Sequence, residues 1–168
     1  MDTGLGGQTG AGECLMGVEE RLAELGLVLP MPAAPVATYV PYVLAEGMLH
    51  ISGQIPFDVD GSLVKGIVGS TVDVARGKYA AERCAIGIVA QVKAALGGNF
   101  GGVERFVKLG VFVACPADFT EQPEVANGAS DLIVALFGDA GRHARSAVGV
   151  SSLPRGVAVE IDAIVQVR

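Results

Sequence analysis

The stretch HARSAVGVSSLPRGVAVEIDA, residues 143–163, places two guanidinium groups and two carboxylates in a run of small and aliphatic residues. Arg155 stands between a proline and a glycine, which is typical of a turn. On both sides of it, Val, Ala and Ile alternate with other residues, and this pattern predicts two strands. The fold and the function both depend on where these strands place Arg145, Glu160 and Asp162.

The register of the two strands follows from their valines, because alternate side chains of a strand lie on opposite faces. Pairing Val148 with Val159 in a hairpin joins two apolar faces, whereas a slip of one residue would set valines against carboxylates. This register predicts that Arg145, Glu160 and Asp162 share the non-core face of the sheet. A surface ion pair worth under about 1 kcal/mol and a ligand site explain that face equally well from the pattern alone.

The composition bounds the fold class. The chain has 168 residues, of which 51% are hydrophobic, 18% charged and 5% aromatic. A chain of this length hides about two-thirds of its unfolded surface, which is enough for one core. We therefore expect residues 17–168 to form a single domain. Residues 1–16 contain no secretory signal, and we expect them to be a disordered leader or an addition to the natural chain.

Charge and cysteine usage exclude several classes of function. The net charge of −6 opposes a nucleic-acid partner, because phosphate backbones are bound by clustered Lys and Arg. The cysteines Cys14, Cys84 and Cys115 are widely spaced, which argues against a disulfide scaffold and a metal site. Residues 25–45 have the length of a membrane span but contain four prolines. We expect a cytoplasmic protein that binds neither nucleic acid nor membrane and uses no cofactor.

Hydrophobic periodicity predicts a short N-terminal helix and then the order β, α, β, α, β, β. This order is typical of an α+β fold with helices on one face of a mainly antiparallel sheet. The long helix is predicted to begin at Ser70 or Thr71 and to end before Gly97. The elements are VEERLAELG (18–26), GMLHISGQIP (47–56), a helix over 70–96, RFVKLGVFVA (105–114), a helix from Pro123, and the two closing strands.

Four motifs in a fixed order resemble one known family. They are ISGQIP (51–56), VKLGVFVA (107–114), ARSAVGV (144–150) and LPRGVAVEIDAI (153–164). Together they resemble the RidA family, also called YjgF or reactive intermediate deaminase, and the likeness runs from about Pro32 to the C-terminus. SGQIP alone is a weak signal, whereas the ordered set is specific.

The resemblance implies a chorismate-mutase-like α+β fold that forms a homotrimer, with ligand clefts between neighbouring subunits. Better-known members hydrolyse enamines and imines such as 2-aminoacrylate to keto acids and ammonia, without a metal or organic cofactor. By this resemblance, Arg145 would grip the substrate carboxylate, a task suited to a planar bidentate donor. Glu160 would position or activate the attacking water.

The resemblance also implies further substrate-binding residues. An ungapped count back from SGQ places the family's site tyrosine on Tyr39, with Tyr42 as the alternative if the loop shifts. Gly53, next to Ser52, matches a glycine whose backbone borders the ligand, and Asn127 matches a helix asparagine near the cleft. Without the resemblance, an anchoring tyrosine, a turn glycine and a solvent-facing asparagine explain these residues.

The chain also departs from the family. Ala147 stands where a cysteine is common, so a thiol role is lost while its backbone N–H remains available to a carboxylate. The chain is longer, with an added N-terminal helix and a longer segment after SGQIP. We therefore expect a deaminase and keep a non-catalytic binder of small carboxylates, such as 2-keto acids, as the alternative. Cleavage of single-stranded RNA ranks last, because the chain is acidic.

Overall fold

The computed structural model describes residues 17–32 and 38–168. The expected leader, residues 1–16, lies outside the described residues. The three helices are α1 (Val18–Glu24), α2 (Val74–Ala95) and α3 (Gln122–Phe137). The five strands are β1 (Tyr42–Ala45), β2 (Met48–Gln54), β3 (Val103–Ala114), β4 (Ala144–Val150) and β5 (Val159–Val167), and short 3₁₀ turns occupy Gly138–Gly141 and Pro154–Gly156.

The strands form one sheet in the order β1, β2, β5, β3, β4. Three of its pairings are antiparallel, and only β3 and β4 are parallel. The prediction of an α+β fold with helices packed on a mainly antiparallel sheet is therefore confirmed. The short strand β1, which extends the sheet beyond β2, was not predicted, because it lies within residues 25–45, where the four prolines argue against regular structure.

The predicted hairpin between the two closing strands is wrong. β3 lies between them, and Leu109 of β3 has Arg145 of β4 on one side and Ala163 of β5 on the other. Valine alternation determines which face of a strand is apolar, but it does not determine which neighbour the strand takes. β4 aligns Val148 with Phe112 and Ala147 with Val111, so the valines of β4 lie on the open face of the sheet and not on the core face. The turn at Arg155, with a φ of 59°, does not fold β5 back on β4. The chain instead crosses to the other edge of β3, where β5 pairs.

The end of α2 agrees with the prediction, but its beginning does not. Asp73 is the N-cap, because its Oδ1 accepts a hydrogen bond of 2.7 Å from the backbone N–H of Arg76. The predicted caps Ser70 and Thr71 are wrong, and the Thr71 hydroxyl instead accepts from the backbone N–H of Ile67 in the preceding turn. The predicted stop at Gly97 agrees with its positive φ of 73°.

The core lies between the helices and one face of the sheet. Alternate residues of β3 and β5 are buried there, and the predicted apolar stripe of α3 packs with them. The main members are Leu109, Val111, Val113, Val125, Ala129, Leu132, Ile133, Leu136, Val159, Ile161, Ala163 and Val165. Because the helices cover this face, the open face of the sheet is left for other contacts.

Two helix glycines differ in how much room they leave. A Cβ at Gly128 of α3 would overlap the backbone carbonyl of Lys78 in α2, so the two helices meet backbone to backbone. A Cβ at Gly87 of α2 would meet only the side chain of Gln54, at 3.1 Å from its Oε1. Backbone cannot retreat without moving a helix, whereas the end of a glutamine side chain can.

The substitution Gly128→Ala is expected to destabilise the protein by about 1–3 kcal/mol, because it overfills the contact between α2 and α3. Gly87→Ala is the matched control, and it is expected to be neutral or stabilising by up to about 1 kcal/mol, because alanine favours the helix. Urea unfolding of both variants measures the difference. Equal stability of the two variants would contradict the backbone contact.

Candidate functional site

Glu160 and Asp162 lie on the open face of the sheet. Their neighbours Val159, Ile161 and Ala163 are buried against the helices, so strand alternation turns the two carboxylates to the other side. Glu160 is half-buried and Asp162 is exposed. None of the ion pairs in the described part of the chain includes either carboxylate.

A bulge in β2 makes room beside Glu160. Ile51 pairs with Ala163 and Gln54 with Ile161, so two residues of β2 stand opposite one residue of β5. The two residues of the bulge are Ser52 and Gly53, opposite Asp162. A Cβ at Gly53 would overlap the Glu160 carboxylate, which shows that the missing side chain is what lets Glu160 occupy its position.

The environment of Glu160 favours a basic carboxylate. Burial raises the pKa of Glu160 above its ordinary value, and the negative charge of Asp162 raises the pKa further. The space beside Asp162 is again provided by glycine, because a Cβ at Gly110 of β3 would overlap that carboxylate. A carboxylate with a raised pKa accepts a proton more readily, so Glu160 is suited to act as a general base.

The Tyr39 segment lies next to Ser52. The Ser52 hydroxyl donates a hydrogen bond of 2.8 Å to the carbonyl of Val40, and its backbone N–H donates one of 2.9 Å to the carbonyl of Pro41. Tyr39 is 62% exposed beside this anchor. The alternative residue, Tyr42, is half-buried and packs against the core, so of the two tyrosines Tyr39 is the one free to contact a ligand.

Arg145 lies on the helix face of the sheet. Its Nη1 donates to Oδ1 of Asn127 at 2.9 Å and to Oγ of Ser130 at 3.0 Å, and its Nη2 makes a long contact of 3.4 Å with the carbonyl of Pro123. All three partners belong to α3. Ala147 follows on the same face of β4, paired with Val111.

The prediction that Arg145 shares a face with Glu160 and Asp162 is therefore wrong. Arg145 pairs with Leu109 of β3, whereas Glu160 pairs with Phe112, three positions further on. Positions an odd number apart in a strand face opposite sides of the sheet. The structure groups Ser52 and Gly53 with Glu160 on the open face, and Asn127 and Ala147 with Arg145 on the helix face.

Ser130 contacts both Arg145 and His143. Neither Ser130 nor His143 was among the predicted site residues. The Ser130 hydroxyl lies 3.0 Å from Nε2 of His143, and Nδ1 of His143 lies 2.6 Å from the carbonyl of Gly141. The available signal was the spacing of Asn127 and Ser130, because residues three apart share one face of a helix.

Within residues 17–32 and 38–168, no group of three or more His, Cys, Asp or Glu side chains is placed to hold a metal ion. No helix in that part of the chain combines the length and the hydropathy needed to cross a membrane.

The protein is an α+β protein. Its helices pack on one side of a mixed five-stranded sheet, and a carboxylate occupies a glycine-lined space on the other side. The sequence pattern of the family described as "YjgF/chorismate_mutase-like, putative endoribonuclease" matches residues 19–159. The chain belongs to this YjgF/RidA family.

Three proteins similar to this chain differ in sequence identity and in structural similarity. The chain is 50% identical to Protein TCP17 of Trypanosoma cruzi over 152 residues, which are 90% of this chain and 94% of that protein. It is 48% identical to Atu1372 of Agrobacterium tumefaciens, a protein of unknown function, with a TM-score of 0.85 and coverage of 93% and 97%. RidA from an Antarctic Psychrobacter species is 30% identical, with a TM-score of 0.57 and coverage of 82% and 94%.

Replacing Asp162 by asparagine is expected to lower the pKa of Glu160, because it removes the like charge that opposes ionisation. The pKa should stay above the ordinary glutamate value, since burial is the larger cause and remains. A ¹³C NMR titration of the glutamate carboxylates measures this. Asp118→Asn, an exposed change in the loop after β3, is the control, and equal pKa values in the two variants would contradict the coupling.

Proposed function

We propose that this protein is a homotrimeric deaminase that hydrolyses enamine and imine intermediates of small carboxylates to keto acids and ammonia, in clefts between subunits. The observation that carries the proposal is the placement of Arg145 and Glu160, two groups of opposite charge on opposite faces of one sheet. The membership of the YjgF/RidA family supports it.

Arg145 supplies the anchor for the substrate carboxylate. A guanidinium has five N–H groups, and in the described chain α3 engages both N–H groups of Nη1 and makes one long contact with Nη2. The Nε–H and a second Nη2–H remain for a ligand. A planar group held in this way loses little freedom when it binds a carboxylate with two parallel hydrogen bonds.

Glu160 supplies the base. An enamine such as 2-aminoacrylate first tautomerises to the imine, whose C=N carbon is the target of water. Glu160 takes a proton from the water as its oxygen bonds to that carbon, and the C=N π electrons move to the nitrogen. Protonated Glu160 returns this proton to the nitrogen, which gives a carbinolamine. Glu160 then passes the hydroxyl proton to the amino nitrogen as the C–N bond breaks, so that ammonia leaves, the oxygen becomes the carbonyl of the keto acid, and Glu160 is ionised again. The raised pKa of Glu160 suits the first step.

The two groups act on one ligand when the β4 edge of one subunit meets the open face of its neighbour. In this arrangement Asn127 and the backbone N–H of Ala147 accompany Arg145, while Tyr39, Ser52 and Gly53 accompany Glu160. The open face carries apolar surface that suits an assembly, since Val148 is 46% exposed there. A cytoplasmic location belongs to the same proposal, because Cys84 and Cys115 are both free thiols.

Mixed trimers test the proposal. Arg145→Ala and Glu160→Gln are each expected to abolish the release of ammonia and pyruvate from 2-aminoacrylate generated in situ by a dehydratase. Trimers assembled from both variants should recover about a quarter of the wild-type clefts, because each cleft combines residues from two randomly chosen subunits. The assay compares equal concentrations of trimer, verified by light scattering.

Each contrary result has a distinct meaning. Recovery absent from mixed trimers would show that one subunit supplies both residues, against the proposed clefts. If the wild type does not accelerate the reaction, deamination of this substrate is rejected. If pyruvate then binds the wild type but not Arg145→Ala, the carboxylate-binding alternative is favoured. Salt-sensitive cleavage of single-stranded RNA by nuclease-free protein would support the third function.

A further inference from the structure

The Ser130 hydroxyl links Arg145 to His143. Its oxygen lies 3.0 Å from Nη1 of Arg145 and 3.0 Å from Nε2 of His143. Ser130 is on α3, whereas the other two residues lie at the start of β4, so the contact joins the helix to the edge of the sheet. The other hydrogen bond of Arg145 Nη1 goes to Asn127, three residues before Ser130 on the helix.

The direction of these hydrogen bonds follows from the groups involved. The Gly141 carbonyl can only accept, so His143 must donate to it from Nδ1, which leaves Nε2 of a neutral imidazole without a proton. Arg145 can only donate, so the Ser130 oxygen accepts from Nη1. The one proton of the Ser130 hydroxyl is then directed at Nε2 of His143. Every donor in this chain of contacts has an acceptor only while His143 is neutral.

We propose that Ser130 and neutral His143 are positioning residues that hold the Arg145 guanidinium in the orientation that binds the substrate carboxylate. This inference rests on the proposed function, because it takes Arg145 as the anchor. Protonated His143 would direct an N–H at the Ser130 oxygen, which already accepts from Arg145. The hydroxyl proton would lose its acceptor, and two cations would face one oxygen, so the guanidinium would turn away.

Burial and the neighbouring charge of Arg145 favour the neutral form of His143. Burial lowers its pKa below the ordinary 6.5, the hydrogen bond to the Gly141 carbonyl partly opposes this, and Arg145 lowers the pKa further. The nearby carboxylates are paired with other groups. On α3, Asp131 pairs with Lys78 and Glu124 accepts from Asn127, and in the 3₁₀ turn Asp139 pairs with Arg142.

Two variants separate the contact from the charge. Ser130→Ala removes the link between Arg145 and His143 at every pH. His143→Gln keeps an amide oxygen that can accept from the Ser130 hydroxyl but cannot be protonated in this range. Ser151→Ala, an exposed serine just after β4, is the matched control.

The first measurement is made on the free protein. The ¹⁵N NMR signal of the Arg145 Nε–H, identified by its loss in Arg145→Lys, is expected to shift or broaden in Ser130→Ala. In the wild type it should change in the same way between about pH 8 and pH 5, as His143 gains a proton. In His143→Gln it should be independent of pH. A signal that is the same in the wild type and Ser130→Ala, and unaffected by the titration of His143, would overturn the inference.

The second measurement uses pyruvate, which stays ionised across this range. Its Kd is expected to be about tenfold weaker in Ser130→Ala, the usual effect of losing a hydrogen bond to a charged group. In the wild type the Kd should weaken on acidification, and in His143→Gln it should not. Protonation of Glu160 would act in the opposite sense, because it removes a negative charge that repels the ligand. If neither the wild type nor any variant binds pyruvate while the Arg145 signal behaves as expected, the role of Arg145 as a carboxylate anchor fails, whereas the orientation of its guanidinium by Ser130 and His143 stands.

Discussion

The pairing of β3 with strands on both of its edges is the constraint on which the rest of the structure depends. Residues 108–113 of β3 each align one residue of β4 and one of β5, and strand alternation then assigns both to the same face. Leu109 holds Arg145 on the side of the helices, where α3 supplies its hydrogen-bond acceptors. Phe112 holds Glu160 on the open side. Moving β5 by one residue would turn its core residues to the open face, and moving β4 by one residue would turn Arg145 there.

The charged groups on the two faces of the sheet have different surroundings. On the open face, Gly53 and Gly110 leave the volume that the carboxylates of Glu160 and Asp162 occupy, and neither carboxylate takes part in the observed ion pairs. On the helix face, the guanidinium of Arg145 is surrounded by uncharged oxygen atoms of α3. The first arrangement raises the basicity of a carboxylate, and the second orients a cation without neutralising it.

The features that sequence alone predicted are those with a local cause. The buried stripe of α3, the glycine stop of α2 and the alternation in β3 and β5 follow from side-chain spacing and backbone freedom. The partner and the core face of β4 do not, because Val148 lies on the open face opposite Phe112, so aligning it with the buried Val159 placed Arg145 on the wrong face. Ser130 was missed because its spacing of three residues from Asn127 shows that the two share a helix face, but does not show that this face contacts Arg145.

Arg145 and Glu160 lie on opposite faces of the sheet within one subunit, so they cannot form an ion pair there. The predicted hairpin would have allowed this ion pair. Had the two residues met on one face, the guanidinium would have paired with Glu160 and lowered its pKa, so that the carboxylate became a weaker base. The same ion pair would have occupied the N–H groups needed by a carboxylate ligand. With the sheet between them, the glutamate keeps its raised pKa, and neither charge neutralises the other within one subunit.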